Sequence, residues 1–196
     1  MANAYIIARQ QEHGIAFFEK ALEKQSAQMT NETRAIYLAA YASLRATYAD
    51  EVFFLKRIFW VLDTFEILEE ASAIGAAPPL VTWALGIIYA QVPAIFGIQD
   101  EAIKALTWLT KNPKTEPTPG FHREAYRYLG ELHADLGNTK FVETYKKKSG
   151  YSATPLKTLF MGWFSTSKEK GLFSRQLRRL RRMGFRRLPR QPQLVF

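Results

Sequence analysis

Apolar residues recur at spacings of three and four along most of this chain, and most of the Pro, Gly and Asn punctuation falls between those runs. Such spacing puts an apolar stripe on each of a series of helices. A chain patterned this way must bury helix against helix. Sustained apolar/polar alternation is missing, as are Asn-Gly and Asp-Gly hairpin turns, so the strand signal is weak throughout.

The periodicity predicts a first helix over about 3–26, with Ile7, Phe17, Phe18 and Leu22 facing a core. Thr30-Asn31-Glu32 offers a cap for a second helix at about 32–49. Its Ala35, Ala39, Ala42, Ala46 and Ala49 form a flat alanine seam. A third helix, about 51–75, carries Phe54, Ile58, Val61, Phe65 and Leu68 on one face and Leu55, Phe59 and Leu62 on a second. Apolar on most sides, it is expected to lie between other helices. Pro78-Pro79 opens a segment at about 79–96, and Asp100 can cap a helix at about 101–111. Helices at about 121–136 and 139–148 complete a body of about seven, closed by Ser149-Gly150.

These helices fall into pairs with an internal repeat. Leu44 and Tyr48 align with Leu85-Gly86 and Tyr89, and again with Leu129-Gly130 and His133, at offsets of 41 and 44 residues. Thr82-x-x-Leu85-Gly86-x-x-Tyr89 resembles the W-x-x-L-G-x-x-Y opening of a tetratricopeptide repeat, and Tyr126-x-x-Leu129-Gly130-x-x-His133 resembles a second copy. Leu136-Gly137-Asn138 is similar to that repeat's internal turn, and Ile15 to Leu22 to its second helix. The pitch exceeds the family's, and Arg45 stands where the first copy should have glycine. A HEAT-like pairing fits the pitch nearly as well. Glycine inside a helix costs about 1 kcal/mol against alanine, so Gly86 and Gly130 make sense where a second helix presses on the backbone.

The resemblance implies an all-α, right-handed stack of antiparallel helix pairs, about three units over residues 1–150. It further implies a concave face, built from the first helix of each pair, that takes a peptide or a partner helix. Carried over by register, the groove positions are Ala39, Ala42 and Ala46 in the first copy. Trp83, Ile87 and Gln91 follow in the second, and Arg127, Glu131 and Asp135 in the third. The residues themselves leave another reading open, in which the alanines serve close helix packing and Trp83 belongs to the core.

No chemistry of catalysis emerges. Cysteine is absent, which removes disulfides, thiolate metal sites and cysteine nucleophiles. His122 and His133 share a helix face but stand about 16 Å apart, too far for one metal ion. Phosphate-binding glycine motifs are missing. Ser165-Thr166-Ser167-Lys168 matches an S-x-x-K string without its S-D-N and K-T-G companions, and Thr166 with Glu169 reads as a capping box. No enzyme activity, cofactor, metal or small-molecule substrate is expected. The uncharged window from Leu80 to Ile98 reaches the length of a membrane span but contains Gly86, Gln91, Pro93 and Gly97. A buried repeat helix explains it better. The opening residues lack a basic stretch followed by a long apolar one, so no secretion signal is read and a cytoplasmic location is expected.

The charge of +9 belongs to the last quarter. Residues 1–150 hold 16 Lys/Arg against 17 Asp/Glu, while 151–196 hold 11 Lys/Arg and Glu169 as the one acid. Within 151–172, Leu156, Leu159, Phe160, Trp163 and Phe164 make an aromatic segment expected to cap the last repeat. In 173–196, Arg175, Arg178, Arg179, Arg182 and Arg186 surround an apolar face of Phe173, Leu177 and Leu180. That tail, expected to be partly disordered, suits an anionic membrane or nucleic-acid phosphate. The same abrupt change fits a truncated or frame-shifted end. Met161 to Gly171 also resembles the lead-in to a metallo-β-lactamase-type hydrolase domain in helical-repeat fusions, whose histidine motif does not occur here. A protein- or peptide-binding scaffold remains the leading expectation.

Overall fold

A computed structural model describes residues 2–74, 78–92, 96–116 and 120–150. Among these the chain is all-helical, with α1 (Ala2–Ile7), α2 (Gln11–Gln25), α3 (Asn31–Tyr48), α4 (Phe54–Ala73), α5 (Pro79–Ala90), α6 (Gln99–Lys111), α7 (Phe121–Asp135) and α8 (Thr139–Ser149). The Arg-rich tail, the aromatic segment and the Ser165 string lie outside the described residues.

Local chemistry accounts for most boundaries. Thr30 stands before α3 with extended backbone and accepts a hydrogen bond from the Thr33 amide. Pro79 occupies the first turn of α5, where no intrahelical donor is needed. Gly150 closes α8 in the left-handed region at φ 68°, a conformation that spares the terminal carbonyls.

Two expectations about helix length are corrected. The first predicted helix is two, because Arg9 turns left-handed at φ 56°. The Gln10 amide donates to the Tyr5 carbonyl at 2.8 Å and the Arg9 amide to Ile6 at 3.1 Å. Those paired bonds satisfy the end of α1 in the way glycine usually allows. Secondly, α5 stops at Ala90 instead of running to about 96. The Gln91 side-chain amide donates to the Ile87 carbonyl, and Pro93 has no amide proton with which to continue the ladder. Among the described residues no helix is long and apolar enough to cross a membrane.

Neighbouring helices pack in sequence: α2 on α3, α3 on α4, α5 on α6, and α7 on α8. The first helices of these pairs also touch in order, α3 with α5 and α5 with α7. One continuous core runs from Ala35 and Leu38 through Phe65, Leu85 and Leu106 to Leu129 and Leu132. A smaller cluster of Ile15, Phe18, Tyr41 and Leu44 joins α2 to α3. Ile58, Val61, Phe65 and Leu68 of α4 are buried as expected; on its second flank Leu62 packs against the core while Phe59 stays 42% exposed.

The repeat register lands on helix–helix contacts of three kinds. A Cβ placed on Gly86 would sit 2.7 Å from Leu106 Cδ2 of α6, whereas one on Gly130 would meet Tyr145 Cβ of α8 at an ordinary 3.5 Å. The expected pressure of a second helix therefore holds for Gly86 and is slight at Gly130. Arg45, at the matching position of the first pair, is buried against α4. Its guanidinium lies 3.8 Å from the centre of the Trp60 ring and donates to Thr64 Oγ1 and the Trp60 carbonyl. Trp60 Nε1 returns a 2.8 Å bond to the Arg45 carbonyl.

Candidate functional site

Where the first helices of the pairs meet, their small residues leave a hollow. Ala39, Ala40 and Ser43 of α3 form one wall, and Leu80, Trp83 and Ala84 of α5 form the other. Phe121, the first residue of α7, and Ala2 and Asn3 of α1 also line it. The cavity measures about 260 Å³, below the roughly 300–1,000 Å³ of typical small-molecule pockets. It suits a bulky side chain rather than a cofactor.

The walls are stiffened by rings. Trp83 stacks on Phe121 with centroids 4.4 Å apart and planes 25° apart. Phe18 meets Tyr37 edge to face at 5.4 Å. Such offset and edge-on pairs are favoured by the ring quadrupoles. Polar groups are few, and the Ser43 hydroxyl is committed to the Ala39 carbonyl at 2.8 Å. One group is not committed. The indole N–H of Trp83 is buried without a hydrogen-bond partner, a state that costs about 1–3 kcal/mol. Among the residues that line it the cleft has no nucleophile paired with a base; it can hold a ligand by apolar contact.

The structure separates the residues that register had grouped. Trp83 and Ala39 do line the cleft. Ala42 and Ala46 are buried in the core, so these alanines serve close packing. Ile87 and Gln91 are also buried, at 8% and 7% exposed. Arg127 and Glu131 form a separate charged cluster: Arg127 Nη1 donates to Glu131 Oε1 at 3.3 Å, its Nη2 lies 3.7 Å from Glu124, and its guanidinium covers the Tyr128 ring. Burial holds the Glu131 carboxyl above the ordinary glutamate range against the opposing pull of Arg127. Asp135 is exposed. None of Ala42, Ile87, Gln91, Arg127 or Glu131 lines the cleft.

Register also missed Tyr37, Ser43, Leu80 and Phe121. Phe121 had a legible signal, a large ring directly after a Pro- and Gly-containing loop. A second, polar hollow lies at the start of α7, where Glu116, Gly120, His122, Arg123, Tyr126 and Lys148 meet. There the His122 amide donates to Glu116 Oε1 at 3.2 Å, and His122 Nδ1 lies 3.6 Å from Glu116 Oε2. That contact ties the preceding loop to α7. Among the described residues no three His, Asp or Glu side chains gather where a metal ion could sit.

The chain matches no protein-family model, no curated protein and no solved structure.

Proposed function

We propose that this chain is a non-catalytic interaction module, a tetratricopeptide-like stack of three helix pairs whose first helices present a groove to a protein or peptide. The pairwise packing of α3 with α4, α5 with α6 and α7 with α8 supports the stack, as does the ordered contact of α3, α5 and α7. The observation that carries the function is the stacked Trp83–Phe121 pair lining one hollow with the small side chains of α3. An aromatic or large aliphatic side chain fills that space and removes its surface from water. Such burial contributes about 1.5–3 kcal/mol per side chain, which suits an anchor residue of a short peptide.

Selection of a random peptide library on the full-length chain tests the reading. The expected yield is peptides sharing a bulky apolar anchor. Their binding should be lost on Trp83→Ala and on Ala40→Phe, which fills the cleft from a half-buried position. Circular dichroism would verify that both variants stay helical. Peptides that bind all three proteins equally would refute the groove.

A further inference from the structure

Aromatic rings from four different helices line the hollow between α3 and α5: Phe18 of α2, Tyr37 of α3, Trp83 of α5 and Phe121 of α7. They are arranged in two pairs, Trp83 stacked on Phe121 and Phe18 edge to face with Tyr37. Ala39, Ala40 and Ala84 share the lining, and their single methyl groups leave the space open. Among the described residues that line it there is no Asp, Glu, Lys, Arg or His. The volume of about 260 Å³ exceeds the roughly 150 Å³ of an apolar cavity that holds benzene. One ring, or two fused rings, therefore fits. A charged group entering the hollow would shed its hydration and meet no opposite charge. Among uncharged groups of this size, an aromatic one gains most. Ring quadrupoles favour stacked and edge-on neighbours, an advantage of about two- to tenfold in affinity beyond the area buried.

We propose that the hollow selects its partner by one uncharged aromatic side chain, Phe or Trp, in preference to an aliphatic or charged residue. This selectivity rests on the reading of the hollow as a peptide-docking groove, and it names the chemistry that the groove recognises. A cyclohexyl group separates ring recognition from simple burial. It has the shape of a phenyl group with more apolar surface, so area alone favours it. Only a contact specific to aromatic rings reverses that order.

The full-length chain is tested with peptides and with free probes. Peptides selected from the random library should carry Phe or Trp at the anchor. Exchanging that residue for cyclohexylalanine should weaken binding by at least about twofold, and exchanging it for lysine by about tenfold or more. In chemical-shift titrations, benzyl alcohol should bind at least about twofold tighter than cyclohexylmethanol, and it should compete with the peptide. Ala40→Phe should abolish binding in both formats. Ser43→Leu, which fills the same lining, replaces it if circular dichroism shows that Ala40→Phe does not fold. Cyclohexyl groups that bind as well as phenyl groups, while Ala40→Phe still removes binding, would overturn the ring selectivity and leave the groove standing. Anchors that tolerate lysine would overturn it as well. Ring probes that bind while the library yields no peptide would reject the groove and this proposal with it, and so would the failure of peptides and probes alike.

Discussion

The first and second helix pairs share one register and are closed by opposite means. At α3–α4 the matching position carries Arg45, whose long side chain crosses the interface to cover Trp60 and bond two groups of α4. At α5–α6 the position is Gly86, and the side chain that fills the joint is Leu106, arriving from the other helix. The contrast shows that matching positions of two helix pairs can both mark where helices meet without fixing which helix supplies the filling. The third pair is intermediate: Gly130 keeps the glycine but has room beside it.

Substitutions at these three positions can break or sharpen that contrast. Arg45→Gly gives the first pair the residue that the other two carry, yet should destabilise the chain most, by about 3–5 kcal/mol, through a desolvated cation–π contact, lost hydrogen bonds and a helical glycine. A lower urea midpoint at unchanged slope would register it; a change below about 1 kcal/mol would mean the two joints are interchangeable. Gly86→Ala should cost less, about 1 kcal/mol net, because overpacking against the fully buried Leu106 outweighs the gain in helix propensity. Pairing it with Leu106→Val should give a non-additive cycle, whereas strict additivity would place the clash elsewhere. Gly130→Ala should do the reverse and raise stability by about 0.5–1 kcal/mol, since its new methyl meets only an ordinary contact. A loss of stability there would show that α8 presses on α7 as hard as α6 does on α5.

Where helices are long and strongly periodic, the chain reads directly. The predicted bounds of α3, α6, α7 and α8 fall within about two residues of those observed, because capping residues and Pro/Gly breaks are local signals. The break at Arg9 was not legible. Its left-handed turn is the kind that glycine usually marks, and here it is stabilised by bonds back to Tyr5 and Ile6. The cleft was legible only in part. Register found Trp83 and Ala39, but it could not separate a small residue that hollows a surface from one that lets helices touch. Ala39 lines the cleft although it is buried in the same core as Ala42, three residues on, which does not line it. Phe121 and the α1 residues reach the cleft through long-range packing, which no spacing within one helix encodes.

The bend at Arg9 lays a short helix of its own against α2 and α3 at the hollow. Helix α1 has no fully buried side chain, but Ala2, Tyr5 and Ile6 pack against the α2–α3 cluster, with the Tyr5 ring resting on the bare backbone of Gly14. Ala2 and Asn3 thus bring a separate short helix to the lining of the hollow, while Phe121 belongs to the main framework. A substitution that lifts the Tyr5 ring off Gly14 therefore reaches the hollow from outside the large core.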